Sequence, residues 1–158
     1  MSELGAPAPV PALELGAYLG RWYEIARLPT RVEPADVRGV VAEYYRGERG
    51  RILVRNRARL PSGRELEARG VAWQPDPSQP GKLRVRFFWP FAGDYWILGL
   101  GPLGAEGYRW AVVGEPRRRS LWILGRAPRL QLAELRQALR IAEAQGYDLR
   151  PLIYTPQP

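Results

Sequence analysis

The 158-residue chain contains no cysteine and no histidine. Without cysteine there are no disulfides, no thiolate metal sites and no cysteine nucleophile, and the redox compartment is left open. Without histidine there is no Ser-His-Asp relay, no imidazole acid–base catalysis, no His-ligated haem and no ordinary zinc site. Carboxylates alone can serve an enzyme, but no paired-carboxylate motif stands out. Nor does the chain hold the roughly 18 consecutive apolar residues that a membrane-crossing helix needs. Its opening, MSELGAPAPVPALELG, has neither a basic start nor a continuous apolar segment, so it does not read as a signal peptide. Lysine is scarce as well: Lys82 is the one lysine among 24 basic residues, which against 16 acidic ones leave a net charge of +8.

What remains is arginine and short apolar alternation. The positive balance suits phosphate, nucleic acid or anionic lipid. The arginines are nonetheless spread through many segments, the densest run being Arg117-Arg118-Arg119 in an expected hairpin turn, which fits a solvated surface. Arg55, Arg57 and Arg59 on one strand and Arg84 and Arg86 on another share exposed phases. Aromatics interleaved for base stacking are missing there, and no nucleic-acid partner is expected.

The chain is organised around Gly20-Arg21-Trp22-Tyr23-Glu24-Ile25-Ala26-Arg27. A glycine frees the backbone and an extended run opens on the largest side chain. Strict alternation puts Trp22, Glu24 and Ala26 on one face, and Tyr23, Ile25 and Arg27 on the other. A carboxylate on the inner face must be paired or hydrogen-bonded, because isolated burial is too costly. Far downstream, Leu121-Trp122-Ile123-Leu124-Gly125-Arg126-Ala127-Pro128 ends an apolar strand on an arginine able to stack on an indole.

Between these stretches run short strands parted by turn residues, the pattern of an antiparallel barrel or sandwich. They are expected at about 37–45, 51–60, 64–73, 82–89, 94–100, 108–114 and 120–125, after a first strand from Trp22 to about Leu28. Ala68, Gly70 and Ala72 are small enough to leave a cavity open. From Pro128 the period changes: Leu132, Leu135, Leu139 and Ala142 form one helical stripe, expected to pack on the outside of the sheet over about 129–145. Gly146 is a natural stop. A short last strand is expected at about 149–154, and residues 1–14 read as a flexible lead-in.

The two signature stretches, with FFWPFAGDYWIL (87–98) and YRWAVVGEP (108–116), resemble the lipocalin family. Within it they are similar to the bacterial lipocalins and their apolipoprotein-D-like and plant temperature-induced relatives. The resemblance covers about residues 17–157. It implies an all-β fold, an eight-stranded antiparallel up-and-down β-barrel over about 21–126 with one C-terminal α-helix on its outside, within a single domain over 15–158. Gly20, Trp22 and Arg126 match the family's structural signature. Phased from Trp22 and Arg126, the lumen should receive Val40, Ala42, Tyr44, Val54, Asn56, Phe87, Tyr95, Ile97, Trp122 and Leu124.

That lining is mostly apolar with a few hydroxyl and amide groups to orient a polar head. The expected function is therefore carriage of small hydrophobic ligands, and similarity to bacterial lipocalins implies fatty acids or lysophospholipids. No catalytic residue, metal or cofactor is expected, and the protein is expected as a monomer or homodimer with peripheral contact to an anionic membrane. A lipocalin-like enzyme is the competing expectation, with Glu24, Tyr44 or Tyr95 as its acid–base groups and a Glu24 pKa near neutrality as its mark. The membrane-anchored bacterial members carry a secretory signal ending in a lipid-modified cysteine. Neither is found in this chain, which makes a cytoplasmic location the default expectation, and the periplasm or outer membrane the expectation if a signal has been removed.

Overall fold

The computed structural model describes residues 4–30, 33–87 and 92–158. Strands β1 (Gly20–Arg27), β2 (Arg38–Arg46), β3 (Ile52–Arg59), β4 (Glu65–Trp73), β5 (Lys82–Arg86) and β6 (Gly93–Leu100) follow one another as antiparallel neighbours. A small hairpin, β7 (Leu103–Gly104) with β8 (Gly107–Tyr108), precedes β9 (Trp110–Gly114) and β10 (Leu121–Gly125). β10 pairs back onto β1, with Glu24 opposite Leu124 and Arg27 opposite Trp122, so the eight long strands close into a barrel without free edges. Residues Phe88 and Trp89, expected at the end of the fifth strand, lie outside the described residues.

Two cores share this wall. Inside are Trp22, Tyr44, Ile52, Val54, Ala72, Leu83, Ile97, Ala111, Val113 and Leu124. Outside, Ile25, Ala26, Leu98, Trp110, Val112, Leu121 and Ile123 pack under helix α2 (Leu132–Ala144). Alternating residues of one strand thus serve both cores, which is why β9 and the end of β10 are apolar on both faces. The helix meets the wall with Ala138 and Ala142 fully buried, and Gly99 lets it come close: a Cβ there would lie 2.9 Å from Ile141. Leu132 does not belong to the packed stripe. It is 61% exposed at the helix's first position, where the chain has just arrived and the wall has not yet been reached. Gly146 ends the helix at φ +92°, a left-handed conformation that favours glycine.

Around the barrel run the two chain ends. Residues 4–14 lie extended against it: Gln145 exchanges two hydrogen bonds with the backbone of Ala8, and the Val10 amide donates to the Ile97 carbonyl at 2.8 Å. Helix α1 (Leu15–Tyr18) then turns the chain into β1 beneath the barrel. At the other end, β11 (Ile153–Tyr154) pairs with Ala26 and Arg27, where β1 and β2 have parted.

A candidate lipid-binding lumen with one sealed end

Trp22 is fully buried and its indole nitrogen donates to the Tyr18 carbonyl at 2.8 Å. The Arg126 guanidinium lies over the ring, 3.7 Å from its centroid. Its nitrogens donate to the carbonyls of Tyr108, Ala17 and Arg21 at 2.8–2.9 Å, tying together β8, α1 and β1. A planar fork of donors is what lets one side chain hold three backbone segments while its face stays on the indole. Gly107 makes room for this: a Cβ there would fall 2.1 Å from the Ala17 carbonyl oxygen.

Above this floor the ten lumen candidates are distributed as follows. Tyr44, Val54, Ile97 and Leu124 are buried in the inner core, and Ala42, Phe87, Tyr95 and Trp122 pack against it while keeping partial exposure. Asn56, also partly exposed, sits on the rung between Ala42 and Ala68, and its Oδ1 is buried without a hydrogen-bond partner. Val40 sits where β2 gains a residue relative to β3, and its carbonyl accepts from Gln157 rather than completing the ladder. Gly70 does not add open space. A Cβ there would lie 2.5 Å from the Arg86 carbonyl oxygen, so this glycine serves the close approach of β4 to the end of β5.

Sequence reasoning missed Tyr18. Its hydroxyl lies 2.5 Å from that of Tyr95, which in turn lies 3.0 Å from that of Tyr44. Burial holds all three phenols above their usual range, Tyr44 at about 12, so they are neutral hydroxyls at any ordinary pH. The available signal was a tyrosine four residues before Trp22, in the short helix that closes the floor.

The inner face of β1 departs from strict alternation. The pairing of β1 with β10 shifts register between Glu24 and Ala26, so Ile25 and Ala26 both join the outer core and Arg27 returns to the face of Glu24. Arg27 is fully buried. It donates to Glu24 at 3.3 Å, to Thr155 at 3.4 Å and to the Pro34 carbonyl at 2.9 Å, and its Nε lies 3.4 Å from Glu33. Thr155 donates to Glu24 at 2.5 Å. Burial first, and the Glu33 carboxylate second, push the Glu24 carboxyl up to about 8. Two carboxylates around one guanidinium leave a negative charge in excess, and a retained proton relieves it.

The outward arginines are largely neutralised in place. Arg55 pairs with Glu67, Arg57 with Glu43, Arg59 with Glu65 and Arg84 with Asp94, all within 3.0 Å, while Arg86 lies over Trp73. Two grooves of about 380 and 540 Å³ mark the surface, one beside Arg126 and one over the seam between β1, β2 and the C-terminal tail. Neither is lined by any of the ten lumen candidates. No group of three or more carboxylates able to hold a metal occurs among the described residues.

A closed eight-stranded barrel with one end capped by a Trp–Arg stack, and with an apolar inner face, has the architecture of the lipophile-binding barrels. The chain belongs to the lipocalin family: the family model described as a lipocalin-like domain matches residues 13–157. It is 37% identical to the outer membrane lipoprotein Blc of Vibrio cholerae, over 98% of this chain and 90% of that protein. It is 34% identical to temperature-induced lipocalin-1 of Arabidopsis thaliana, over 99% of this chain and 86% of that one. Among solved structures, insecticyanin from the tobacco hornworm Manduca sexta superposes with a TM-score of 0.73 at 20% identity, covering 96% of this chain and 85% of that one. Members of the family bind small hydrophobic ligands and are in general binding proteins rather than enzymes.

Proposed function

We propose that the barrel carries long-chain fatty acids or lysophospholipids, acyl chain in the lumen and head group at the mouth. The observation that carries this reading is that part of the inner face stays open. Tyr44, Val54, Ile97 and Leu124 are buried there, while Ala42, Phe87 and Trp122 pack against the same inner core yet keep contact with solvent. Inward residues of a dry core would all be buried. Hydrocarbon entering such a space gains about 25 cal/mol per Å² of apolar area, or about 0.8 kcal/mol per methylene, before the cost of immobilising the chain.

An enzyme acting on a lipophile is the second reading, and the raised Glu24 carboxyl favours it. Against it, Glu24 is 3% exposed and its carboxyl is already engaged by Arg27 and Thr155, so a substrate would have to displace structural partners. The strand faces themselves offer little to an anionic surface, because most of their arginines have carboxylate partners.

Delipidated protein should bind a fluorescent fatty acid at micromolar concentration or tighter. Ala42→Trp, which fills the lumen from a partly exposed inward position, should weaken that binding at least about tenfold, equivalent to about 1.4 kcal/mol, with thermal stability little changed. Absence of binding to the unmodified protein sinks the carrier reading.

A further inference from the structure

The three phenols at the bottom of the lumen have more hydrogen than they can use on one another. Tyr18, Tyr95 and Tyr44 form a chain of two hydrogen bonds, at 2.5 and 3.0 Å. Three hydroxyls bring three protons, and two bonds consume two of them. Whichever way the chain runs, one O–H is left without an acceptor inside the cluster. Its oxygens also keep unused lone pairs. A buried donor left unmade costs about 1–3 kcal/mol, so the floor of this lumen favours a ligand that brings an oxygen to it.

We propose that the Tyr18–Tyr44–Tyr95 cluster is an anchoring site for a neutral oxygen, hydroxyl or carbonyl, at the leading end of an elongated lipid. The proposal rests on the carrier reading above and specifies which acyl chains the lumen prefers: those oxygenated at the end remote from the head group. Two further features fit. Asn56 lies one rung nearer the mouth than Tyr44, flanked on its ladder by Ala42 and Ala68, and its Oδ1 has no partner. The inner wall therefore carries a second unsatisfied polar group beside small side chains. Distance fits as well: Arg38 at the mouth and Tyr44 are six residues apart on β2, roughly 20 Å along the strand, which is the scale of a long acyl chain.

The leading oxygen must be uncharged. The three phenols stay protonated, the buried side chains clustered with them, among them Trp22, Val54, Leu83 and Ile97, carry no charge, and the buried Arg27 sits at the opposite end of β1 with its carboxylate partners. The guanidinium of Arg126 lies against Trp22 with its donors committed to the carbonyls of Tyr108, Ala17 and Arg21. A carboxylate driven to the floor would be a desolvated charge without a counter-ion, whereas the same carboxylate at the mouth stays in water. Orientation follows: acid outward, oxygenated tail inward.

Palmitate and ω-hydroxypalmitate test this, since they share a head group and a chain and differ in one terminal hydroxyl. Their affinities are measured by displacement of a fluorescent fatty acid from the delipidated protein and from the Tyr18→Phe/Tyr44→Phe/Tyr95→Phe variant. Replacing the whole cluster by rings of the same shape leaves no orphaned partner within it, so the variant should fold, and the readout is the ratio of the two affinities rather than either affinity alone. In the unmodified protein ω-hydroxypalmitate should bind more tightly than palmitate, by up to about tenfold. In the variant the order should reverse, with palmitate favoured by roughly tenfold, because the hydroxyl is then buried among hydrocarbon. An unchanged ratio in the variant overturns the anchor and leaves the carrier reading standing. The same holds if the unmodified protein binds palmitate as tightly as ω-hydroxypalmitate or more tightly, a result that needs no variant to fold. Failure of both lipids to bind the unmodified protein overturns both.

Discussion

The two ends of the barrel are held by different chemistry. At the sealed end one cation, Arg126, meets a neutral ring and three carbonyls, and every donor named there has a partner at 2.8–2.9 Å. Toward the mouth another arginine, Arg27, meets two carboxylates, a hydroxyl and one carbonyl, and its Nε is left without a well-formed bond. The first arrangement is indifferent to the protonation of its surroundings over ordinary pH. The second carries a surplus carboxylate and depends on where a proton sits. The tail completes that second cluster: Thr155 donates to Glu24, and Gln157 bridges the carbonyls of Glu24 and Val40 where β1 and β2 diverge. A floor that never opens can be built from static contacts, whereas the mouth is closed along one seam by the tail.

The contrast predicts unequal losses. Trp22→Ala should have the largest effect, about 3–5 kcal/mol, because it removes a fully buried indole and its bond to the Tyr18 carbonyl and leaves a cavity. Denaturant unfolding measures it, and a loss below about 1 kcal/mol means the floor is not a packed plug. Arg126→Lys comes next, at about 1–3 kcal/mol. It keeps the charge but cannot reach three carbonyls from one planar group. That loss should be the same at pH 5 and pH 8, which separates this end from the other.

Much of this was legible in the chain. Gly20, Trp22 and Arg126 mark a strand start and a strand end that can meet only if the sheet closes. Alternation placed Tyr44, Val54, Tyr95 and Ile97 on one face, because β3 and the parts of β2 and β6 that hold these residues keep period two, the shifts in β2 and β6 falling outside them. It failed at β1, where the shift between Glu24 and Ala26 moves Arg27 to the inner face, and nothing in GRWYEIAR marks that bulge. It failed again at Leu132, whose spacing matches the stripe but whose place at the helix start lies beyond the wall. Thr155 and Gln157 were invisible for another reason: their roles come from partners about 130 residues away, which no local pattern encodes.

The smallest effect should be the one that depends on pH. In the fold, burial and the neighbouring Glu33 raise the Glu24 carboxyl from its ordinary value near 4.5. A raised carboxyl means that the folded state holds its proton at pH values where the unfolded chain has released it. Folding is therefore favoured most at low pH, and this contribution is lost as pH rises from the ordinary carboxylate range through the folded value of about 8. Glu24→Gln keeps a neutral group able to accept from Thr155 and removes the titration. It should cost little at pH 5 and become neutral or stabilising by about 1 kcal/mol at pH 8, flattening the decline. Urea midpoints of both proteins from pH 5 to pH 9 measure the difference. If both decline in parallel, the surplus proton does not reside on Glu24, and the two ends of the barrel differ in their contacts but not in their response to pH.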